Sequence, residues 1–270
     1  MGIVRFLRLL GMAAALALIA SASPSAAADT AANRPAESNT PKGPVPSPAA
    51  KQAALAALRQ MGARVELDES QAVQSVAAVK TKISDAGLAH LAVLSELESL
   101  EIDGGEVTDA GLANLRGLVE LRRLYLRDLP ITDAGLRHLA GLTNLDVLTL
   151  SNTKLNGSGL AQLRELRHLG VLNLTGNPIV DSSLVHLQQL PNLNTLGLQD
   201  TKVTGAGLVH LRAIPKLRVL NLNRCRVGDD ALIHLEALKD LRMVYLKDCP
   251  VTDAGAEKLG DTSDELSVYR

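Results

Sequence analysis

Leu97-Glu98-Ser99-Leu100-Glu101-Ile102-Asp103-Gly104-Gly105-Glu106-Val107-Thr108-Asp109-Ala110-Gly111-Leu112-Ala113-Asn114-Leu115-Arg116-Gly117-Leu118-Val119-Glu120 carries two apolar rhythms in one short stretch. Leu100 and Ile102 alternate with Ser99, Glu101 and Asp103, the period of a strand with one buried face. Leu112, Leu115 and Leu118 then recur every third residue and put an apolar stripe on a predicted helix of two to three turns. Thr108 is placed to accept a hydrogen bond from the free amides of the helix start, and Asp109 to sit at its positive end. Neither element can bury its leucines alone.

The stretch repeats along the chain. Leu97, Leu121, Leu145, Leu169, Leu193, Leu217 and Leu241 are 24 residues apart, without insertion or deletion. Leu100, Leu124, Leu148, Leu172, Leu196, Leu220 and Val244 follow three residues later, then Ile102, Leu126, Leu150, Leu174, Leu198, Leu222 and Leu246. A fourth column holds Val107, Ile131, Leu155, Ile179, Val203, Val227 and Val251. Val73, Val76, Ala78 and Ile83 fit one unit earlier, giving about eight repeats. Stacked units would set parallel strands inside and helices outside in a curved α/β solenoid. At about 4.8 Å per strand, the inner face would be roughly 35–40 Å long.

A fixed period of this length with L-x-x-L-x-L resembles the leucine-rich repeat. The units Ile83-Ser84-Asp85-Ala86-Gly87-Leu88-Ala89-His90-Leu91 and Ile131 to Leu139 are similar to those of bacterial exported leucine-rich repeat proteins, related to the cysteine-containing and ribonuclease-inhibitor-like classes. The resemblance covers Val73 to Leu259. Ala53 to Gly62 with Ala63-Arg64-Val65-Glu66-Leu67 is similar to the helix-and-strand cap that precedes such arrays, Leu55, Leu58 and Met61 covering the first repeat. Asn156-Gly157-Ser158, Val180-Asp181-Ser182, Thr204-Gly205-Ala206 and Gly228-Asp229-Asp230 depart from the helix-start motif.

Outside the array, residues 1–28 read as a secretory signal peptide. Arg5 and Arg8 precede an apolar run from Leu9 to Ala20, and Ala26-Ala27-Ala28 offers a cleavage site. The run is too short for a membrane span, which needs about 20 apolar residues. Residues 29–50, with Pro35, Pro41, Pro44, Pro46 and Pro48, read as an extended, mobile linker. The cap follows at 51–72, the repeats at 73–259 and a tail at 260–270. The expected location is outside the cytoplasm: periplasm, cell envelope or medium.

Composition narrows the function. Leu is roughly a fifth of the chain, about twice its usual share. There is no Trp and one Phe, Phe6, in the expected leader. Tyr125, Tyr245 and Tyr269 are the aromatics of the remainder, which disfavours aromatic-lined grooves for sugars, polyproline or single strands. Without residues 1–28, 26 basic residues face 29 acidic ones, a charge of −3 that offers nucleic acid no general attraction.

His90, His138, His186, His210 and His234 share one repeat column, so a stacked imidazole row for a transition metal is one candidate. Asn114, Gln162 and Lys258 in the same column favour an ordinary polar position, and no metal or cofactor is expected. Cys225 and Cys249, 24 apart in an exported chain, suit either two stacked thiols or a disulfide. No phosphate loop, zinc motif, calcium loop or nucleophile elbow occurs, and the recurring Asp85, Asp109, Asp133, Asp181, Asp229 and Asp253 are accounted for by helix starts.

The outward positions of the inner strands are relieved of packing duty. Glu98 is expected beside Arg122 and Asp103 beside Arg127, a self-neutralising ladder. The far end presents Arg218, Arg242, Tyr245 and Lys247, with Asp248 expected to answer Arg224. Tyr125 and Tyr245 occupy the same outward slot, and with Arg218, Arg242 and Lys247 they are the candidate anchors. The expected function is a non-catalytic scaffold that binds a protein along its concave face. A ubiquitin-ligase-type adaptor with F-box-like repeats, and a metal-binding or hydrolytic protein using the histidine column, fit less of the chain. Self-association through the C-terminal repeat is a further expectation, since an uncovered last unit would expose an open edge.

Overall fold

A computed structural model describes residues 47–270. The leader expected over 1–28 lies outside them, as does the linker expected over 29–50 except for its last residues. Those residues are helical: α1 (Pro48–Gln60) starts inside the expected linker. Proline suits a first helical position, where no amide partner is needed, and the Ser47 hydroxyl accepts the Ala50 N–H. Ala54, Leu55 and Leu58 are buried against the first repeat. β1 (Arg64–Leu67) then pairs antiparallel with β2 (Val73–Val79).

From β2 onward every neighbour is parallel and in sequence order: β3 (Ser99–Asp103), β4 (Arg123–Arg127), β5 (Val147–Ser151), β6 (Val171–Asn173), β7 (Thr195–Gly197), β8 (Val219–Asn221), β9 (Met243–Tyr245) and β10 (Ser267–Tyr269). The register follows the 24-residue period, so Leu100, Leu124, Leu148, Leu172, Leu196, Leu220 and Val244 form one line. The four aliphatic columns are buried in a single cluster that runs the length of the array. Each buried leucine contributes about 1.5–3 kcal/mol. β10 supplies the short final strand, and its Tyr269 stacks on Tyr245 with ring centroids 4.8 Å apart.

The outer layer differs from expectation. Most of its segments are 3-10 helices: Gly111–Leu115, Asp133–His138, Leu160–Leu163, Asp181–Gln189 and Gly205–Ala213. Short α-helical turns occur toward the two ends, as α2 (Asp85–Leu88), α3 (Ile233–Glu236) and the longer α4 (Asp253–Gly260). Spacing by three is the cause. Side chains at i and i+3 eclipse in a 3-10 helix, so Leu112 and Leu115 line up on its buried side, with Leu118 buried just beyond its end.

The recurring aspartates also do more than begin helices. The carboxylate of Asp109 accepts from the backbone N–H of Thr132 at 2.8 Å and from its hydroxyl, reaching into the next repeat. Asp85 holds Thr108, Asp181 holds Thr204 and Asp229 holds Thr252 in the same way, while Asp133 takes three backbone N–H groups from Asn156, Gly157 and Gly159. The carboxylates of Asp85, Asp109, Asp181 and Asp229 lie where a Cβ on the facing glycine would stand, 2.5 Å from it at Gly135, whereas Gly159 faces the backbone carbonyl of Asp133. Where the aspartate is missing, the partner changes too. Gly157 faces Ser183 and Gly205 faces Ala231, the added side chain now filling the space from the other side.

Candidate functional site

Parallel strands place same-face side chains in rows, so the concave surface is built from the positions that alternate with the buried leucines, residues 99, 101 and 103 of the second repeat and their equivalents. Glu101, Tyr125, Thr149, Asn173, Gly197, Asn221, Tyr245 and Tyr269 form its middle row. Asp103, Arg127 and Ser151 stand in the row beside it.

The two expected aromatic anchors are packed rather than presented. Tyr125 is 2% exposed and clusters with Val147 and Val171, while Arg127 lies over its ring at 5.0 Å. Tyr245 is 6% exposed among Val219, Met243 and Tyr269. Its hydroxyl donates to the Met243 sulfur, and burial with the neighbouring Tyr269 pushes its pKa up to about 12. Strands only about 4.8 Å apart let a ring lie across its neighbour's side chain, which closes both.

The charges pair by reach rather than by register. Arg127 folds back to Glu101 at 2.5 Å instead of taking Asp103, its register partner. Arg122 approaches Asp146 at 4.0 Å, not Glu98. Arg224 bonds Asp200 at 2.7 Å, not Asp248. Arg242 is held by Glu265 at 2.8 Å and by the carbonyls of Lys239 and Leu241, so the expected like-charge contact with Arg218 is relieved. Of the five candidate anchors, Arg218 and Lys247 are the exposed ones. Between these ends the concave face is small and polar, with Thr149, Ser151, Asn173, Thr195 and Asn221 in place.

A family model described as Leucine Rich repeat matches residues 213–235. Among solved structures, internalin C2 from Listeria monocytogenes is 24% identical, with a TM-score of 0.52 over 78% of this chain and 100% of its own. The fold is a leucine-rich-repeat solenoid. A leucine-rich-repeat protein of Leptospira interrogans is 18% identical over 67% of this chain and 56% of its own, with a TM-score of 0.46. The ectodomain of the receptor kinase GASSHO1/SCHENGEN3 from Arabidopsis thaliana is 20% identical over 67% of this chain and 22% of its own, with a TM-score of 0.49. Among curated proteins no sequence matches.

The solenoid separates the remaining candidates. The histidine column runs along its outer layer, where His138 is buried and His90, His186, His210 and His234 are half-buried. Among the described residues no group of three or more His, Cys, Asp or Glu could hold a metal ion. Both cysteines are free thiols. Cys225 donates to the Leu198 carbonyl and Cys249 to the Leu222 carbonyl, each at 3.0 Å and one repeat back, and burial raises both thiol pKa values. Sequence reasoning passed over an exposed apolar column on the same outer layer, Val185, Val209 and Ile233. Its signal was present, since the three are 24 residues apart. No helix of the described residues is long and apolar enough to cross a membrane.

Proposed function

We propose that this chain is an exported, non-catalytic scaffold that binds a protein partner along the concave face of its solenoid. One observation carries the proposal. The inward positions repeat one aliphatic residue type, while the outward strand positions vary and leave Arg218 and Lys247 exposed at one end. Packing does not demand those two cations, and cations on an interface rim steer an acidic partner and fix its register. Tyr125, Tyr245 and Arg242 support that surface from within through the ring contacts and ion pair described above.

The binding test uses the exposed pair. Residues 29–270 as bait should retain a protein that the double variant Arg218→Glu/Lys247→Glu retains at least about tenfold less, with the difference shrinking in high salt. Equal retention by both baits would overturn the assignment to this face. For export, the form recovered outside the cytoplasm should have the mass of the chain without residues 1–28; an intact chain that stays inside would sink that part.

A further inference from the structure

Two kinds of bond recur between the start of an outer segment and its neighbour. The first is the aspartate clamp. The second is a backbone bond reaching 23 residues back: Glu106 N–H to the Ile83 carbonyl, Lys154 to Ile131, Lys202 to Ile179 and Arg226 to Val203. The repeats begin at residues 73, 97, 121, 145, 169, 193, 217 and 241, and each joint between them has a slot for both bonds.

Three joints lack the backbone bond because proline, which has no N–H, takes the donor's place: Pro130, Pro178 and Pro250. Behind Pro130 the clamp of Asp109 on Thr132 remains, and behind Pro250 that of Asp229 on Thr252. The joint between repeats six and seven has lost the clamp at Gly205 but keeps the backbone bond of Arg226. Only between repeats four and five, among the described residues, are both gone. Pro178 removes one and Gly157 the other.

Gly157 adds freedom of its own. It stands at φ +97°, a region where glycine pays no steric cost and loses the most entropy when held. The inner side of the same joint is the reverse, firmly pinned. The Asn177 side chain accepts from the N–H groups of Thr153 and Leu155 and from the Thr153 hydroxyl, and it donates to the carbonyls of Leu150 and Leu174. The Asn192 amide holds the Arg167 carbonyl where the chain enters the sheet. Ser183 packs against Gly157 at the outer rim, but a layer fastened by hydrogen bonds along its sheet and by packing alone at its rim can fan about the fastened side.

We propose that the joint between repeats four and five is the hinge of the solenoid, turning on Asn177 and changing the curvature of the concave face. Opening there would alter the distance between the Glu101–Arg127 block at one end and Arg218 with Lys247 at the other, without breaking a strand pair. The hinge is independent of whether those cations meet a partner.

Hydrogen exchange on the full chain tests it. Amides of residues 179–184 should exchange at least about tenfold faster than those of 203–208, which occupy the same slots behind an intact clamp. Pro178→Ala returns an N–H opposite the Leu155 carbonyl and should slow exchange at 179–184 severalfold. A second measurement uses spin labels in one outer column, in a background carrying Cys225→Thr and Cys249→Thr. The pair at Arg164→Cys and Arg212→Cys spans the hinge and should give a wider distance distribution than the pair at Arg116→Cys and Arg164→Cys. Equal exchange in the two segments, or equal widths for the two label pairs, would overturn the hinge.

Discussion

At the scale of single residues, the most consequential side chains are the aspartates at the repeat joints. Asp109→Ala leaves the Thr132 amide and hydroxyl without their acceptor, and losing a charged hydrogen bond at a part-buried site costs about 1.5–3 kcal/mol. Urea unfolding of that variant should show the loss, and an unchanged midpoint would refute the clamp. Gly135→Ala should destabilise through the same contact approached from the other side, since its Cβ would meet the Asp109 carboxylate. His138 gives a pH dependence. It is buried with Nδ1 unpaired, and burial, then the charges of Arg116 and Arg137, hold its pKa below the usual 6.5. The unfolded chain thus binds the extra proton first as pH falls. Stability from this group is complete above about pH 6.5 and declines as pH drops from there through the lower folded value. In His138→Asn, the residue Asn114 supplies to the same column, the fall in melting temperature between about pH 7.5 and 5 should be smaller than in the parent.

At the scale of elements, the matched exchange of Asp for Gly and of Gly for Ser or Ala across a joint makes a reciprocal design test. Gly205→Asp alone drives a carboxylate into Ala231, whose Cβ already lies where a side chain would begin. Combined with Ala231→Gly and Gly228→Thr, the same change rebuilds the clamp seen at four other joints with threonine as the receiver. The single variant should melt lower than the parent and the triple variant higher, by about 2–4 °C for each kcal/mol gained. Much of this layer escaped the sequence. Strands and their register were readable because every inward column recurs at an interval of 24. The 3-10 character was hidden, since leucines three apart satisfy an α-helical stripe as well. The clamps were hidden because the partner lies 23 residues onward, beside the aspartate only after the repeats stack. Register also misplaced the ion pairs, as a long guanidinium arm such as that of Arg127 selects among several carboxylates within reach.

At the scale of the whole molecule, the strands and outer segments of the described residues pack against their sequence neighbours, so damage should stay local. Leu172→Ala, in the middle of the buried row, should cost about 2–5 kcal/mol, and hydrogen exchange should lose protection chiefly in repeats four to six. Uniform loss along the chain would instead mean a single cooperative unit. The binding surface was less legible than the solenoid. Composition singled out Tyr125 and Tyr245 as residues the repeat does not require, but not that their neighbours would close over them. The same nearest-neighbour logic gives the C-terminal end a built-in clock. Each of its two thiols is held protonated and spends its hydrogen on a carbonyl one turn back. A maleimide in native buffer would therefore wait for those turns to part, and the pace at which Cys249 and then Cys225 disappear would time how often the last repeats breathe, with no cysteine engineered in.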